Sequence, residues 1–134
     1  MHGKILGAEL PSVQALAYLG DSMHSLYVRD MLVRRGLTKS GDLNREALRF
    51  ITAEAQAEMY RRISHLLLED ELDVFRRASN SGHLNKPKRA SVSDYRAAKG
   101  FEAVIGMLYY IKDNERLMLL LDEAHREIEN DTED

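Results

Sequence analysis

Apolar residues recur every three or four positions through most of this 134-residue chain, the spacing that is typical of amphipathic helices. The first such segment is predicted to begin at Pro11-Ser12, to continue to about Arg35 and to end at Gly36. Its apolar stripe consists of Leu16, Leu19, Met23 and Leu26. The pattern therefore predicts one long helix near the start of the chain.

Turns rich in Ser, Asn, Asp and Gly separate further segments of helical periodicity. We expect helices over residues 43–68 and 70–78, another from Ser91 or Ser93 to Ile111, and a last one over residues 114–129, with fraying at 130–134. No segment alternates apolar and polar residues in the way that predicts a β-strand. The prediction is an all-α helical bundle in a single domain, residues 1–134, with its core over about residues 12–129.

Two carboxylates stand alone in the two most apolar stretches of the chain. Asp21 is the only charged residue between Leu10 and Val28, and Glu102 is the only one between Gly100 and Ile111. Because an unpaired buried carboxylate is costly, such a group is normally neutralised, paired or bound to a cation. Magnesium is well suited to carboxylate oxygens, so we expect these two acids to meet and hold Mg²⁺ for phosphodiester hydrolysis.

Structural explanations for both acids stay open at this point. Asp21 is either a solvated surface acid or the partner of an arginine, and Glu102 pairs equally well with Lys99 one turn earlier. Gly20, beside Asp21, permits another helix to approach closely, which favours a central position for this segment. His24, one turn after Asp21, is either a metal or phosphate ligand or, more simply, a structural histidine.

The amino-acid composition excludes several classes of function for this protein. The chain has no cysteine, which excludes disulfides and thiol catalysis. It has no apolar run near ~18–20 residues and no signal-like start, so a cytoplasmic location is expected. Its net charge of −3 does not by itself indicate a nucleic-acid binder. No Ser/His/Asp arrangement, P-loop or dinucleotide fingerprint is present.

One segment of the chain is basic, although the net charge of the whole chain is negative. Between Arg76 and Arg96 there are six basic residues and one acid, Asp94. Screening confines electrostatic fields to ~8–10 Å in physiological salt, so such a segment can bind phosphate within a mildly acidic protein. The alternative is an ordinary solvated loop.

Two sequence motifs surround the isolated acids. The first is Leu16-Ala17-Tyr18-Leu19-Gly20-Asp21 with Leu26-Tyr27-Val28-Arg29, and the second is Tyr95-Arg96 with Phe101-Glu102-Ala103-Val104-Ile105-Gly106. Together they resemble the catalytic domain of ribonuclease III and, within that family, the compact bacterial Mini-ribonuclease III branch. The intervening Ala53, Ala55, Gln56 and Ala57 and the loop residues Asn80, Pro87, Lys88 and Val92 fit the same resemblance.

The resemblance implies an all-α homodimer with the ribonuclease III endonuclease fold, which cleaves double-stranded RNA with Mg²⁺ during maturation of the large-subunit (23S) ribosomal RNA precursor. It implies that Asp21 and Glu102 are catalytic and metal-binding, and that no separate double-stranded-RNA-binding domain is present. The residues expected to contact RNA are Arg77, Asn80, Lys86, Lys88, Arg89 and Arg96.

Some positions depart from the family pattern. Full-length ribonuclease III has further acids where this chain has Gln14, Ala17, Ala53 and Lys99. Lys99 either competes with the metal or contacts the scissile phosphate. Ser79 and Gly82 stand where the branch usually has basic residues.

Two other functions remain open. One is a catalytically weak RNA-binding or dimerisation module of the same fold. The other is an all-α nucleotide hydrolase, for which Glu54/Glu58 and Glu123/Glu127 are the nearest candidates for paired metal ligands.

Overall fold

The computed structural model describes residues 10–81 and 90–133, with side chains described through Arg126. Within these ranges the chain forms six α-helices, one short 3₁₀ turn (Ser64–Leu66) and no β-strand, which confirms the all-α prediction. The helices are α1 (Val13–Arg34), α2 (Ser40–Ile51), α3 (Ala53–Ile63), α4 (Glu69–Ser79), α5 (Val92–Tyr110) and α6 (Asn114–Glu133). None of the described helices is long and apolar enough to cross a bilayer.

The predicted helix over residues 43–68 is wrong, because the chain breaks it into α2 and α3. Thr52 adopts an extended conformation, with ψ of 161°, and its hydroxyl accepts a hydrogen bond from the Ala55 amide at 3.2 Å. Thr52 therefore caps α3, a break that apolar periodicity alone does not reveal. At the other end of the chain, α6 continues to Glu133, through residues that were expected to fray.

Other helix boundaries follow the sequence signals. The Ser12 hydroxyl accepts a hydrogen bond from the Ala15 amide at 3.1 Å and caps α1. Ser91, rather than Ser93, caps α5 by accepting from the Asp94 amide at 3.0 Å. Gly36 follows α1 with φ of 97°, a left-handed conformation that glycine adopts without strain.

The two helices that carry the isolated acids cross at the centre of the fold. Helices α1 and α5 contact each other most extensively, and α5 also packs against α3 and α4. At the crossing, a Cβ on Gly20 would overlap the Glu102 carbonyl oxygen, and a Cβ on Gly106 would overlap the Leu16 carbonyl oxygen. The close approach predicted at Gly20 is therefore confirmed, and it sets the rotation of both helices.

The apolar stripe predicted for α1 is only partly the buried one. Leu16 is buried, but Leu26 is 60% exposed. The residues of α1 that are buried are Leu16, Ala17, Gly20, His24, Val28 and Leu32. Because the glycine crossing decides which side of α1 faces α5, small residues and a histidine replace part of the larger apolar stripe in the core.

A buried ion pair joins α4 to α6. The Glu71 side chain is inaccessible to solvent and accepts hydrogen bonds from the Arg116 guanidinium at 2.8 and 2.9 Å. Glu71 also accepts from the Leu68 amide at 2.8 Å, so it caps α4 as well. This acid is therefore structural, although it lies in a charged stretch of sequence that predicts a surface position.

Candidate active site

The structure brings Asp21 and Glu102 together across the α1–α5 crossing. The Glu102 carboxyl is hydrogen-bonded to the Asp21 carboxylate, 81 positions away in the sequence, and is about half-buried. Asp21 immediately follows Gly20, whose backbone touches that of Glu102, so the glycine contact places the two side chains beside each other. Asp21 is exposed on α1 in the single chain, as the alternative of a solvated acid predicts, although it lies beside the partly buried Glu102.

The environment of Glu102 favours either a proton or a cation. Burial raises the pKa of Glu102 to about 8, and the hydrogen bond to Asp21 contributes in the same direction. Lys99 and a hydrogen bond donated by the Gln56 amide lower this pKa, but by less. At neutral pH Glu102 therefore carries a proton in the metal-free protein, at a position where a divalent cation would replace it.

The carboxylate oxygens of Asp21 and Glu102 are suitable ligands for a hard cation that keeps several of its bound waters. Within residues 10–81 and 90–126, neither Asp21 nor Glu102 takes part in an ion pair, so no arginine of these ranges occupies the space between them. In the described part of the chain, no third His, Cys, Asp or Glu joins them to make a cluster. Two carboxylates with several waters are a coordination that Mg²⁺ accepts.

Two pockets lie along α5, and Glu102 lines one of them. The first, of about 150 Å³, is lined by Ile51, Ala53, Gln56, Tyr95, Ala98, Lys99 and Glu102. The second, of about 230 Å³, is lined by Val13, Gln14, Ala17, Ala78, Ser81, Tyr95 and Lys99. Both share Tyr95 and Lys99, whose ammonium lies 5.7 Å from the centre of the Tyr95 ring. The departures from the family pattern at Gln14, Ala17, Ala53 and Lys99 thus all line this concave surface.

The predicted phosphate contacts fall into two groups. Lys86, Lys88 and Arg89 lie outside the described residues. Arg77 and Asn80 are exposed near the end of α4, where Arg77 pairs with Asp73 at 3.2 Å. Arg96 donates a hydrogen bond to the Ser79 carbonyl at 3.2 Å, so it holds the end of α4 against α5.

Sequence reasoning missed the role of Gln56. This side chain is 3% exposed and, besides its bond to Glu102, hydrogen-bonds His24 Nδ1 at 3.0 Å. His24 is inaccessible to solvent, which agrees with the structural alternative for this residue. The available signal was an uncharged polar residue among alanines on the apolar side of α3, but its partners cannot be inferred from spacing.

The glutamates of the nucleotide-hydrolase alternative are arranged as surface residues. Glu54 and Glu58 are exposed, and Glu58 pairs with Arg61 at 3.3 Å. Glu123 pairs with Arg126 at 2.7 Å, and the side chain of Glu127 lies outside the described part of the chain. The described residues therefore give this function no metal site.

Comparison with known proteins shows the family of the chain. The Ribonuclease III domain family matches residues 14–113, which contain both acids. A Mini-ribonuclease 3 of Symbiobacterium thermophilum is 42% identical over 109 residues, covering 81% of this chain and 84% of that protein. A Mini-ribonuclease 3 of Streptococcus pneumoniae is 36% identical over 117 residues, covering 86% and 91%.

A solved structure shows the same architecture. A crystal structure of a Fusobacterium nucleatum protein superposes with a TM-score of 0.78 at 27% sequence identity, covering 86% of this chain and 88% of that one. The fold, the extent of the family match and the identity to these relatives lead to one assignment. The chain belongs to the ribonuclease III family and is an endoribonuclease.

Proposed function

We infer that this protein is a Mg²⁺-dependent endoribonuclease that cleaves double-stranded RNA, with Asp21 and Glu102 as its catalytic, metal-binding residues. The observation that carries this proposal is the hydrogen-bonded carboxylate pair at the α1–α5 crossing. Maturation of the large-subunit (23S) ribosomal RNA precursor in the cytoplasm is the proposed role, by resemblance to the Mini-ribonuclease III branch. Residues 1–134 are proposed to form one catalytic domain.

The residues of the site have distinct tasks in this proposal. Asp21 and Glu102 would hold the ion, which supplies a water of lowered pKa and stabilises charge on the phosphoryl oxygens. Glu102 would release its proton on binding the ion, and this would be a net release at neutral pH because its pKa is raised. Gln56 donates to the Glu102 carboxylate and limits its rotation. Lys99, which lines both pockets, would contact a phosphate oxygen of the substrate.

The concave surface along α5 supplies a path for the RNA backbone. It runs from Glu102 past Lys99 and Tyr95 to Ser81, which precedes Lys86, Lys88 and Arg89 of the basic segment in the sequence. Positive charge along that path would neutralise phosphates, while A-form RNA is selected by shape and 2′-hydroxyl contacts. The residues proposed to contact RNA are Arg77, Asn80, Lys86, Lys88, Arg89 and Arg96.

An exposed apolar face supports a homodimer. Tyr18 and Leu26 on α1 are 80% and 60% exposed, and Tyr109 at the end of α5 is 48% exposed. Leu19, Ser22, Met23, Leu26 and Tyr109 line one shallow depression on this face. A two-fold dimer through it would cover this apolar surface and supply one site for each RNA strand. Leu26→Glu should then shift the sedimenting species from dimer to monomer, whereas Leu48→Glu, an equally exposed leucine on α2, should leave the dimer intact.

Substrate class is tested with three labelled nucleic acids of one sequence: duplex RNA, single-stranded RNA and duplex DNA. With Mg²⁺ present, we expect cleavage of the duplex RNA alone. Binding of the duplex without cleavage would instead support the catalytically weak module. A transcript that carries the paired ends of a 23S precursor, compared with an unrelated duplex of equal length, tests the ribosomal role.

A further inference from the structure

Two histidines that the proposed reaction does not use are buried directly behind the site. His24 on α1 and His125 on α6 are both inaccessible to solvent, and their Nε2 atoms lie 2.9 Å apart. The ring of Phe101 packs edge-on against His24, with ring centres 5.2 Å apart, and Tyr27 packs against His125 at 4.8 Å. These two residues, called the histidine pair below, form a polar contact inside the core, and Asp122, Arg35 and Arg62 lie close enough to His125 to influence its pKa.

The histidine pair is connected to the candidate metal site through Gln56. The Gln56 side-chain nitrogen lies 3.0 Å from His24 Nδ1, and Gln56 lines one pocket together with Glu102, where hydrogen bonding by its amide lowers the pKa of Glu102. A primary amide has two N–H groups, so one is directed at the imidazole and the other at the carboxylate. The connection therefore runs from His125 through His24 and Gln56 to Glu102, on four different helices.

The connection has one consistent arrangement of protons. Because Gln56 donates to His24 Nδ1, that nitrogen must be unprotonated, and the proton of a neutral His24 is on Nε2. His24 Nε2 then donates to His125 Nε2, which places the His125 proton on Nδ1, a buried atom without a partner among the described residues. Burial lowers the pKa of His24 to about 3 and that of His125 to about 4, so both rings are neutral at pH 7.

We propose that the histidine pair is a positioning device for the candidate metal site: it holds the Gln56 amide with its nitrogen towards Glu102, and so orients that carboxylate for the ion shared with Asp21. An apolar residue at position 24 would leave one buried Gln56 N–H without an acceptor. The amide would then lose the contact that holds it on the side away from Glu102, and its N–H would no longer be fixed in direction towards that carboxylate. The inference rests on the proposed function, because it assigns Glu102 to a metal.

The first test uses the native protein and needs no RNA. In metal-free protein labelled with ¹⁵N histidine at pH 7, nitrogen chemical shifts report which ring nitrogen carries the proton. We expect His24 protonated on Nε2, His125 on Nδ1, and a scalar coupling between the two Nε2 atoms. A proton on His24 Nδ1, or a positive charge on either ring, would overturn the proposal even if the protein cleaves RNA.

The second test uses variants that preserve the core. His24→Phe combined with His125→Leu removes both imidazoles and leaves no lone buried ring, whereas His24→Asn keeps an acceptor oxygen near the place of Nδ1. We expect the double variant to lose about 10- to 100-fold in kcat and in Mn²⁺ affinity, the usual range for residues that support metal ligands, with KM for RNA unchanged. His24→Asn should recover more kcat than His24→Phe.

The outcomes separate this inference from the proposed function. A folded double variant with native kcat and native Mn²⁺ affinity would show that the histidine pair only fills the core. If the native protein cleaves no duplex RNA, the proposed function fails, while the proton arrangement is still decided by the nitrogen shifts. If the double variant does not fold, the native spectrum and the Gln56→Met variant, which removes both N–H groups, decide the proposal.

Discussion

At the scale of single residues, the candidate site depends on Glu102, whose surroundings favour its protonated form at neutral pH. Glu102 has a pKa raised to about 8, first by burial and then by the hydrogen bond to Asp21. A carboxyl group with such a raised pKa is a good site for a cation. A bound cation offsets both the cost of burying the charged form and the repulsion between the two carboxylates. The pair therefore explains why single acids interrupt two apolar stretches.

The role of Asp21 is tested by Asp21→Asn, which keeps the shape and removes the charge. We expect the rate of cleavage to fall by more than about 100-fold, since even outer partners of metal ligands cost up to that much. Dimerisation and RNA affinity should change little. Asp30→Asn is the matched control, because Asp30 lies on the same helix, is exposed and pairs with Arg34. Equal activity of the two variants would remove Asp21 from catalysis.

The sequence predicted the residues that stand out against their neighbours along the chain. It did not predict those whose role depends on contacts between distant positions. Asp21 and Glu102 are visible as lone charges within apolar runs, and Gly20 is visible as a point of close approach. Gln56 and His24 are 32 positions apart, and His24 and His125 are 101 apart. No periodicity links such positions, so their connection became apparent only from the packing of the helices.

At the scale of helices, the site is made by one crossing. Gly20 and Gly106 let α1 and α5 touch through their backbones, and this contact fixes the distance between the two acids. The crossing also decides which residues of α1 are buried, which is why Leu26 is exposed although it belongs to the predicted stripe. Helix-period patterns predict that α1 and α5 exist, but not how each is rotated.

Gly106→Ala tests the crossing. The added methyl would overlap the Leu16 carbonyl oxygen, so α1 and α5 must separate. We expect the free energy of unfolding to fall by about 3 kcal/mol and cleavage to be lost along with it. Gly41→Ala is the control, because a Cβ there meets no atom within 4 Å and Gly41 lies inside α2; it should stabilise by about 0.5 kcal/mol. Similar unfolding midpoints for both variants would contradict the crossing's importance.

The basic segment is tested by replacing Lys86, Lys88 and Arg89 together with glutamine. If these side chains neutralise phosphates, binding of duplex RNA should weaken and the slope of log affinity against log salt should become shallower by about two to three. Arg34, Arg45 and Arg126, which pair with acids on α1, α2 and α6, give a control with the same change in charge. A salt slope that is unchanged in the first variant would show that the segment does not contact the duplex.

At the scale of the whole molecule, His24, His125 and Glu102 link stability to pH in opposite directions. The lowered pKa values of His24 and His125, about 3 and 4 against 6.5 in the unfolded chain, make the folded state lose stability as pH falls below 6.5. The raised pKa of Glu102, about 8 against 4.5, makes the metal-free folded state lose stability as pH rises towards 8. Between pH 4.5 and 6.5 the stability gained from the two histidines as pH rises exceeds the stability lost from the one glutamate, so the net stability increases with pH.

We therefore expect the metal-free protein to be most stable near pH 6.5, by urea denaturation between pH 5 and 9. Saturating Mg²⁺ should raise stability most on the alkaline side, where Glu102 is ionised. The double variant His24→Phe/His125→Leu is the control, because it should lose the decline on the acid side and keep the decline on the alkaline side. A metal-free stability that rises steadily to pH 9 would be inconsistent with a protonated Glu102.

The joint metal site is tested most directly by a magnesium titration of labelled double-stranded RNA cleavage at pH 7, with native protein and Glu102→Gln side by side. The native protein should be inactive in chelator, gain activity with Mg²⁺ and reach saturation. Glu102→Gln should stay inactive or require far more Mg²⁺, while still binding the duplex. Cleavage by native protein without divalent ions, or the same magnesium dependence in both proteins, would contradict the shared site.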